Sequence, residues 1–150
     1  MTSITLPEGF GWVGLSVGPL AMIANMLMGG PVMGARKNLD VQYPNLYATP
    51  GFHKNADEFN RVQRGHQALF ESLSTCQVMA LMGGLSFPIA STVGFNLFLL
   101  GSFGYAKGYG NMKNDVKTAR YKGFGFLKPV GWLVLLCASG ASSTKMLGLW

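Results

Sequence analysis

Charge is what this sequence has least of. Only 12% of its 150 residues are Asp, Glu, Lys or Arg, where a soluble domain carries about 25%. So few charges cannot coat a globule in water. Acids are scarcer than bases, six against twelve. There are two cysteines, Cys76 and Cys137, each inside an apolar stretch. They are expected to pack as small hydrophobes rather than to staple the chain. Neither an internal repeat nor a low-complexity segment is present, which sets aside solenoids and solvated tails.

What is abundant points to a membrane. Hydrophobic residues make up 49% of the chain and glycines number 21, and membrane helices use Gly for close packing. Residues 9–35 contain no Asp, Glu, Lys or Arg, more than the roughly 20 residues that cross hydrocarbon as a helix. A first helix is expected over about Phe10–Met33, with Pro19 and Gly29-Gly30-Pro31 kinking it or loosening its end. No basic segment precedes this run and Glu8 stands before it, so it is expected to be retained rather than cleaved as a signal. Residues 34–58 are polar, with Pro44, Pro50 and Gly51 as breakers and Asn55 or Asp57 as helix caps. Residues 72–106 are again free of charge. That is too long for one helix and suits two joined by Gly83-Gly84-Leu85-Ser86-Phe87-Pro88. Helices are expected over about Phe59–Gly83, Pro88–Tyr109 and, after a second basic loop, Phe124–Leu149. Lys145 is placed to snorkel and Trp150 to sit at the interface. The fold class is all-α, an integral membrane four-helix bundle, as one domain over 1–150.

Eleven of the twelve basic residues fall in the two loops 34–58 and 110–128 with their flanks. The positive-inside bias puts both loops on the cytosolic side, with the termini and the Gly84–Phe87 turn opposite. The charge sits at the ends of apolar runs, not on a soluble face, which argues against nucleic acid. A channel or transporter is disfavoured, since four helices with one buried acid offer no evident pathway.

The informative segment is Phe59-Asn60-Arg61-Val62-Gln63-Arg64-Gly65-His66-Gln67-Ala68-Leu69-Phe70-Glu71. Arg61, Arg64, Ala68 and Glu71 share one helical face, with Gln67 beside it. Glu71 falls inside the hydrocarbon boundary, where an acid is costly unless it faces the bundle and has a partner. Arg64 lies two turns away, too far for a simple direct pair. Another helix, another subunit or a ligand is expected to satisfy one of them. The plain alternatives are an interhelical polar clamp and, for the arginines, interfacial anchoring. Tyr105 and Tyr109 form a second stripe with Ser102, and tyrosines near a helix end are often interface residues. Arg36-Lys37 alone is ordinary flanking charge. Taken together, these elements make a cationic mouth above one carboxylate. That suits a small anionic ligand that also carries an amine, as glutathione does.

Ala35-Arg36-Lys37, Val41-Gln42-Tyr43-Pro44, Phe59-Asn60, Val62-Gln63-Arg64-Gly65-His66-Gln67 with Glu71, and Tyr105-Ala106-Lys107-Gly108-Tyr109 resemble the MAPEG family. These are membrane-associated proteins in eicosanoid and glutathione metabolism, and the pattern is most similar to the family's type-three microsomal glutathione transferase branch. The resemblance covers nearly the whole chain. It implies a homotrimer in the endoplasmic reticulum membrane, with mitochondrial and plastid membranes open. Glutathione would bind as cosubstrate between neighbouring subunits, with no metal. The resemblance assigns Arg36, Lys37, Arg64, His66, Gln67, Glu71, Tyr105 and Tyr109 to glutathione. It assigns thiol activation to a basic residue of the loop after Tyr109, Arg120 first and Lys117 second. The expected activity is glutathione transfer to a lipophilic electrophile, or reduction of a lipid hydroperoxide. The departures are Ala68 where the family commonly has Asn, Ser72 where some members have Tyr, and Ser102 where Arg is common. They motivate the alternative, a non-catalytic relative that binds lipid or serves as a subunit of a larger membrane complex.

Overall fold

A computed structural model describes residues 5–149. Its long elements are four helices: α1 (Phe10–Asn38), α2 (Ala56–Gly84), α3 (Pro88–Gly110) and α4 (Leu127–Met146). A short 3-10 turn, Ala119–Tyr121, lies in the last connection. No strand forms among the described residues. The architecture is the all-α, membrane-spanning four-helix bundle that the apolar runs predict. α1 and α3 are long and apolar enough to cross a bilayer. α2 carries a polar first half, as its sequence requires.

α1 departs from expectation at its far end. It runs through Gly29-Gly30-Pro31 to Asn38 instead of stopping near Met33. Where water is scarce, a backbone that leaves the helix finds no other partner, so Gly and Pro are carried within it. Gly29 also lies close against α2, since a Cβ there would sit 3.5 Å from His66 Cε1. Pro19 is absorbed differently. It falls in one π-helical turn, Ser16–Leu20, whose extra residue makes room for the ring and its missing N–H. Gln77 of α2 donates to the Val17 carbonyl in that turn at 2.7 Å. α1 buries a narrow stripe, Val13, Val17, Ala21, Ala24, Met28 and Val32, at spacings of three and four. Its remaining apolar surface, including Trp12, Met22, Ile23 and Met26, is exposed.

α2, α3 and α4 pack more closely, around Leu69, Cys76, Phe95, Phe98 and Leu135. Lipid removes the hydrophobic drive between helices, so close backbone approach decides the packing. The glycines of α3 provide it within the chain. A Cβ at Gly101 would fall 2.0 Å from Lys128 N, and one at Gly104 would fall 2.4 Å from Gly125 N. The end of the last connection and the start of α4 lie directly on α3 at these two points. Cys76 and Cys137 are unpaired.

Both long connections gather at one end of the bundle. Val41, Ala48, Ala56 and Phe59 form a small second core under the first. Asn60 holds that loop, accepting from Ala48 N at 2.7 Å and donating to Ala48 O at 2.9 Å. Asn55 occupies the cap position of α2, yet neither it nor Asp57 makes a side-chain cap bond; Asp57 lies in the first turn. α4 ends at Met146, short of the expected Leu149, and Trp150 lies outside the described residues.

Candidate functional site

α2 enters the basic end with two arginines three residues apart, and they behave differently. Arg61 is only 9% exposed. Its Nε donates to Tyr109 O at 2.7 Å, and its Nη2 donates to Asn111 O and Asn114 O at 3.0 and 3.1 Å. It closes the carbonyl end of α3 and pins the following loop. Its guanidinium also lies 5.4 Å from the Tyr109 ring centre.

Arg64 faces a cavity. Its Nη1 donates to Glu71 Oε1, and its Nη2 donates to Glu71 Oε2 at 2.8 Å. This corrects the expectation that the two lie too far apart to pair. Seven residues rise about 10.5 Å along a helix, and a long arginine and a glutamate reaching toward each other span that rise. A second correction concerns depth within the bundle. The side chains of Arg64 and Glu71 are 37% and 48% exposed. The carboxylate is therefore on the open face of the bundle, not submerged among its helices.

The cavity is about 350 Å³. α2 contributes Arg64, Ala68, Glu71 and Ser72, and α3 contributes Tyr105. The connection adds Arg120, Tyr121 and Gly125, and α4 adds Lys128, Pro129 and Trp132. Three cations thus share one space with one acid that is already paired. Arg64 also borders a neighbouring cleft with Tyr47, Asp57, Arg61 and Tyr109. The Tyr105 and Tyr109 rings stack at 5.6 Å between centres and join the two spaces.

The cavity brings together Arg64, Glu71, Tyr105 and Arg120 of the expected residues, and the adjoining cleft holds Tyr109. Arg36, Lys37, His66, Gln67 and Lys117 do not line the cavity. Arg36 clamps its own loop, with Nη1 donating to Val41 O at 3.0 Å and Asn45 O at 2.8 Å. Its guanidinium lies 4.4 Å from the Tyr43 ring centre and 5.0 Å from that of Phe59. His66 turns to α1, where Nε2 sits 2.9 Å from Asn25 Oδ1. Ser72 and Ser102 return their hydroxyls to their own helices, donating to Ala68 O at 3.1 Å and Phe98 O at 2.8 Å.

The sequence did not single out Lys128. It counted there as one more flanking charge of a basic loop, yet it lies in the first turn of α4, buried and against the cavity. The available signal was its place before Pro129, with no other charge until Lys145. A cation there belongs to the helix, and so faces either lipid or the bundle. Among the described residues, no three His, Cys, Asp or Glu side chains gather as a metal site.

The class so defined is a membrane helical bundle whose basic end opens on a cation-rich cavity. The sequence model of the MAPEG family matches residues 15–143, and the chain belongs to that family. Its members are membrane proteins associated with glutathione and eicosanoid metabolism. None of the curated proteins compared with the chain is a match.

Proposed function

We propose that this protein is a membrane glutathione transferase or peroxidase that acts on lipophilic electrophiles or lipid hydroperoxides, akin to the type-three microsomal branch. The observation that carries this reading is the Arg64–Glu71 pair on the cavity wall. A zwitterion fits such a pair by exchange. Its carboxylate takes the Arg64 fork, which matches a carboxylate with two parallel bonds, and its ammonium takes Glu71. Glutathione offers both groups, a second carboxylate and a thiol. Tyr105 and Tyr109 line its path. A free thiol titrates near about 8.5 and is mostly protonated at neutral pH. Arg120 beside the sulfur favours the thiolate by opposite charge, and Lys117 is the second candidate for that role. The lipophilic substrate arrives from the bilayer along the apolar helix faces.

A homotrimer completes this picture. A charged pair on the outside of a membrane bundle is costly to leave against lipid, and a neighbouring copy would cover it. Arg36, Lys37, His66 and Gln67 lie off the cavity of their own chain, so any contact with glutathione runs across such an interface, and for Arg36 and His66 it requires letting go of the loop carbonyls and of Asn25. The endoplasmic reticulum membrane follows from family likeness, with mitochondrial and plastid membranes as alternatives. A second reading is a non-catalytic relative that binds lipid or joins a larger membrane complex. One observation favours it: Ser72 and Ser102 give their hydroxyl protons to their own helices, so neither donates into the cavity.

Calorimetric titration of glutathione into the detergent-solubilised protein, with Arg64→Ala and Glu71→Gln as controls, separates the two. Saturable binding that both substitutions weaken, with turnover of a lipophilic electrophile, supports the enzyme. No binding, together with stoichiometric recovery in a large assembly, supports the subunit.

A further inference from the structure

Two cations of the cavity, Arg120 and Lys128, form no ion pair, and of these Lys128 is the buried one. Lys128 is 3% exposed, yet it borders the cavity. Its backbone is fixed by the contact with Gly101, so the side chain starts from a set position. Its Nζ donates to Ala68 O at 2.6 Å. The same nitrogen lies 5.1 Å from the Tyr105 ring centre and 5.5 Å from those of Phe98 and Trp132. One carbonyl and three ring faces describe the surroundings of an ammonium. The ion pair found among the described residues joins Arg64 to Glu71, so Lys128 makes no direct ion pair and feels the Glu71 carboxylate and the Cys76 thiol only through space. A buried charge with no counterion is expensive. An ammonium has three donors, and Ala68 O takes one of them. An anion that enters the cavity would relieve this site.

We propose that Lys128 holds the reacting sulfur of the bound thiol as its thiolate, from the α4 wall of the cavity. This rests on the glutathione reading and adds a residue to it. The neighbours decide which anion of the ligand Lys128 receives. A carboxylate matches the planar fork of Arg64, while Arg120 stays beside the sulfur together with Lys128. Lys128 is a point charge set among Tyr105, Pro129 and Trp132, a wall that suits a soft sulfur and the apolar molecule it attacks. On ionisation the S–H bond breaks, the electron pair stays on sulfur, and the proton leaves to water at the mouth. In its ammonium form Lys128 accepts no proton. The small side chain of Ala68 leaves its carbonyl open to Nζ, and Ser102 supplies no cation from α3. α4 supplies one instead.

The test measures the thiolate fraction of bound glutathione across pH by ultraviolet absorbance. It uses the detergent-solubilised full chain and compares the unmodified protein, Lys128→Met and Lys128→Arg. Affinity for S-methylglutathione, which has no ionisable thiol, is measured beside it. Lys128→Met is expected to lower the thiolate fraction at neutral pH by about tenfold or more, while Lys128→Arg retains most of it. S-methylglutathione affinity is expected to stay within roughly twofold in all three. Should Lys128→Met not fold, Lys128→Gln, which keeps a donor for Ala68 O, carries the same comparison. An unchanged thiolate fraction overturns the proposal while leaving the glutathione reading intact. So does an equal loss of both affinities, which would make Lys128 a carboxylate holder or a packing residue. An unmodified protein that binds neither molecule defeats the glutathione reading and this proposal together.

Discussion

Arg61 and Arg64 stand one turn apart on the same helix, and only one of them is open to a ligand. Arg61 is enclosed and gives its donors to three main-chain carbonyls, one in the last turn of α3 and two in the loop after it. Arg64 is partly open and holds one carboxylate that a ligand can displace. Arg36 repeats the first pattern, with two carbonyls and two aromatic rings. A basic end is therefore not a uniform mouth. Part of its charge builds the loops, and the remainder faces the cavity they enclose.

The contrast is open to experiment. Arg61→Ala should have the largest effect, since it leaves three carbonyls without a charged donor. A loss of about 3 kcal/mol or more is expected, read as a lower midpoint in thermal unfolding and faster proteolysis of the 111–126 loop. Arg64→Ala should reverse the balance. Glutathione affinity falls about 10- to 100-fold, or about 1.4–2.8 kcal/mol, while stability changes by less than about 1 kcal/mol, because an exposed ion pair contributes little. Equal destabilisation by the two alanines would erase the distinction. Gly101→Ala touches no arginine but pushes a Cβ into the α4 backbone. A cost of about 1–3 kcal/mol is expected in unfolding measurements, with loss of activity at temperatures where the fold survives. The smallest effect belongs to the exchanged pair, Arg64→Glu with Glu71→Arg. Stability should stay within about 0.5 kcal/mol of the unmodified protein while glutathione binding, followed by calorimetry, does not return. Recovered binding would mean that the pair serves shape and not ligand polarity.

Much of the fold was legible because the solvent imposes it. Charge-free runs of sufficient length must be helices in a bilayer, and the Gly-Gly-Leu-Ser-Phe-Pro stretch marked the turn before α3. The far end of α1 was not legible, because Gly29-Gly30-Pro31 breaks a helix in water and does not do so here. The site was legible in its residue types and less so in its geometry. Helical spacing placed Arg61 and Arg64 on one face but carried no account of the loop that folds over Arg61. The same spacing made Arg64 and Glu71 look too distant, since it counts turns and not the reach of side chains. Lys128 was hidden by its surroundings. Among the many bases of 107–128, its place before Pro129 with no further charge until Lys145 marks it as helical, but not which way it turns.

The seating of α4 on Gly101 and Gly104 has a consequence for how such a protein can change over time. From Gly125 onward the chain is registered against α3, and Gly108 lies against Ala119 O in the same way. Asn114 is also tied back to α3, its Nδ2 donating to Gly108 O at 2.8 Å, so it is in the short stretch 115–118 that insertions or deletions can remodel the entrance while the cavity wall keeps its dimensions. Selection can then retune which molecules are admitted without disturbing the chemistry behind the door.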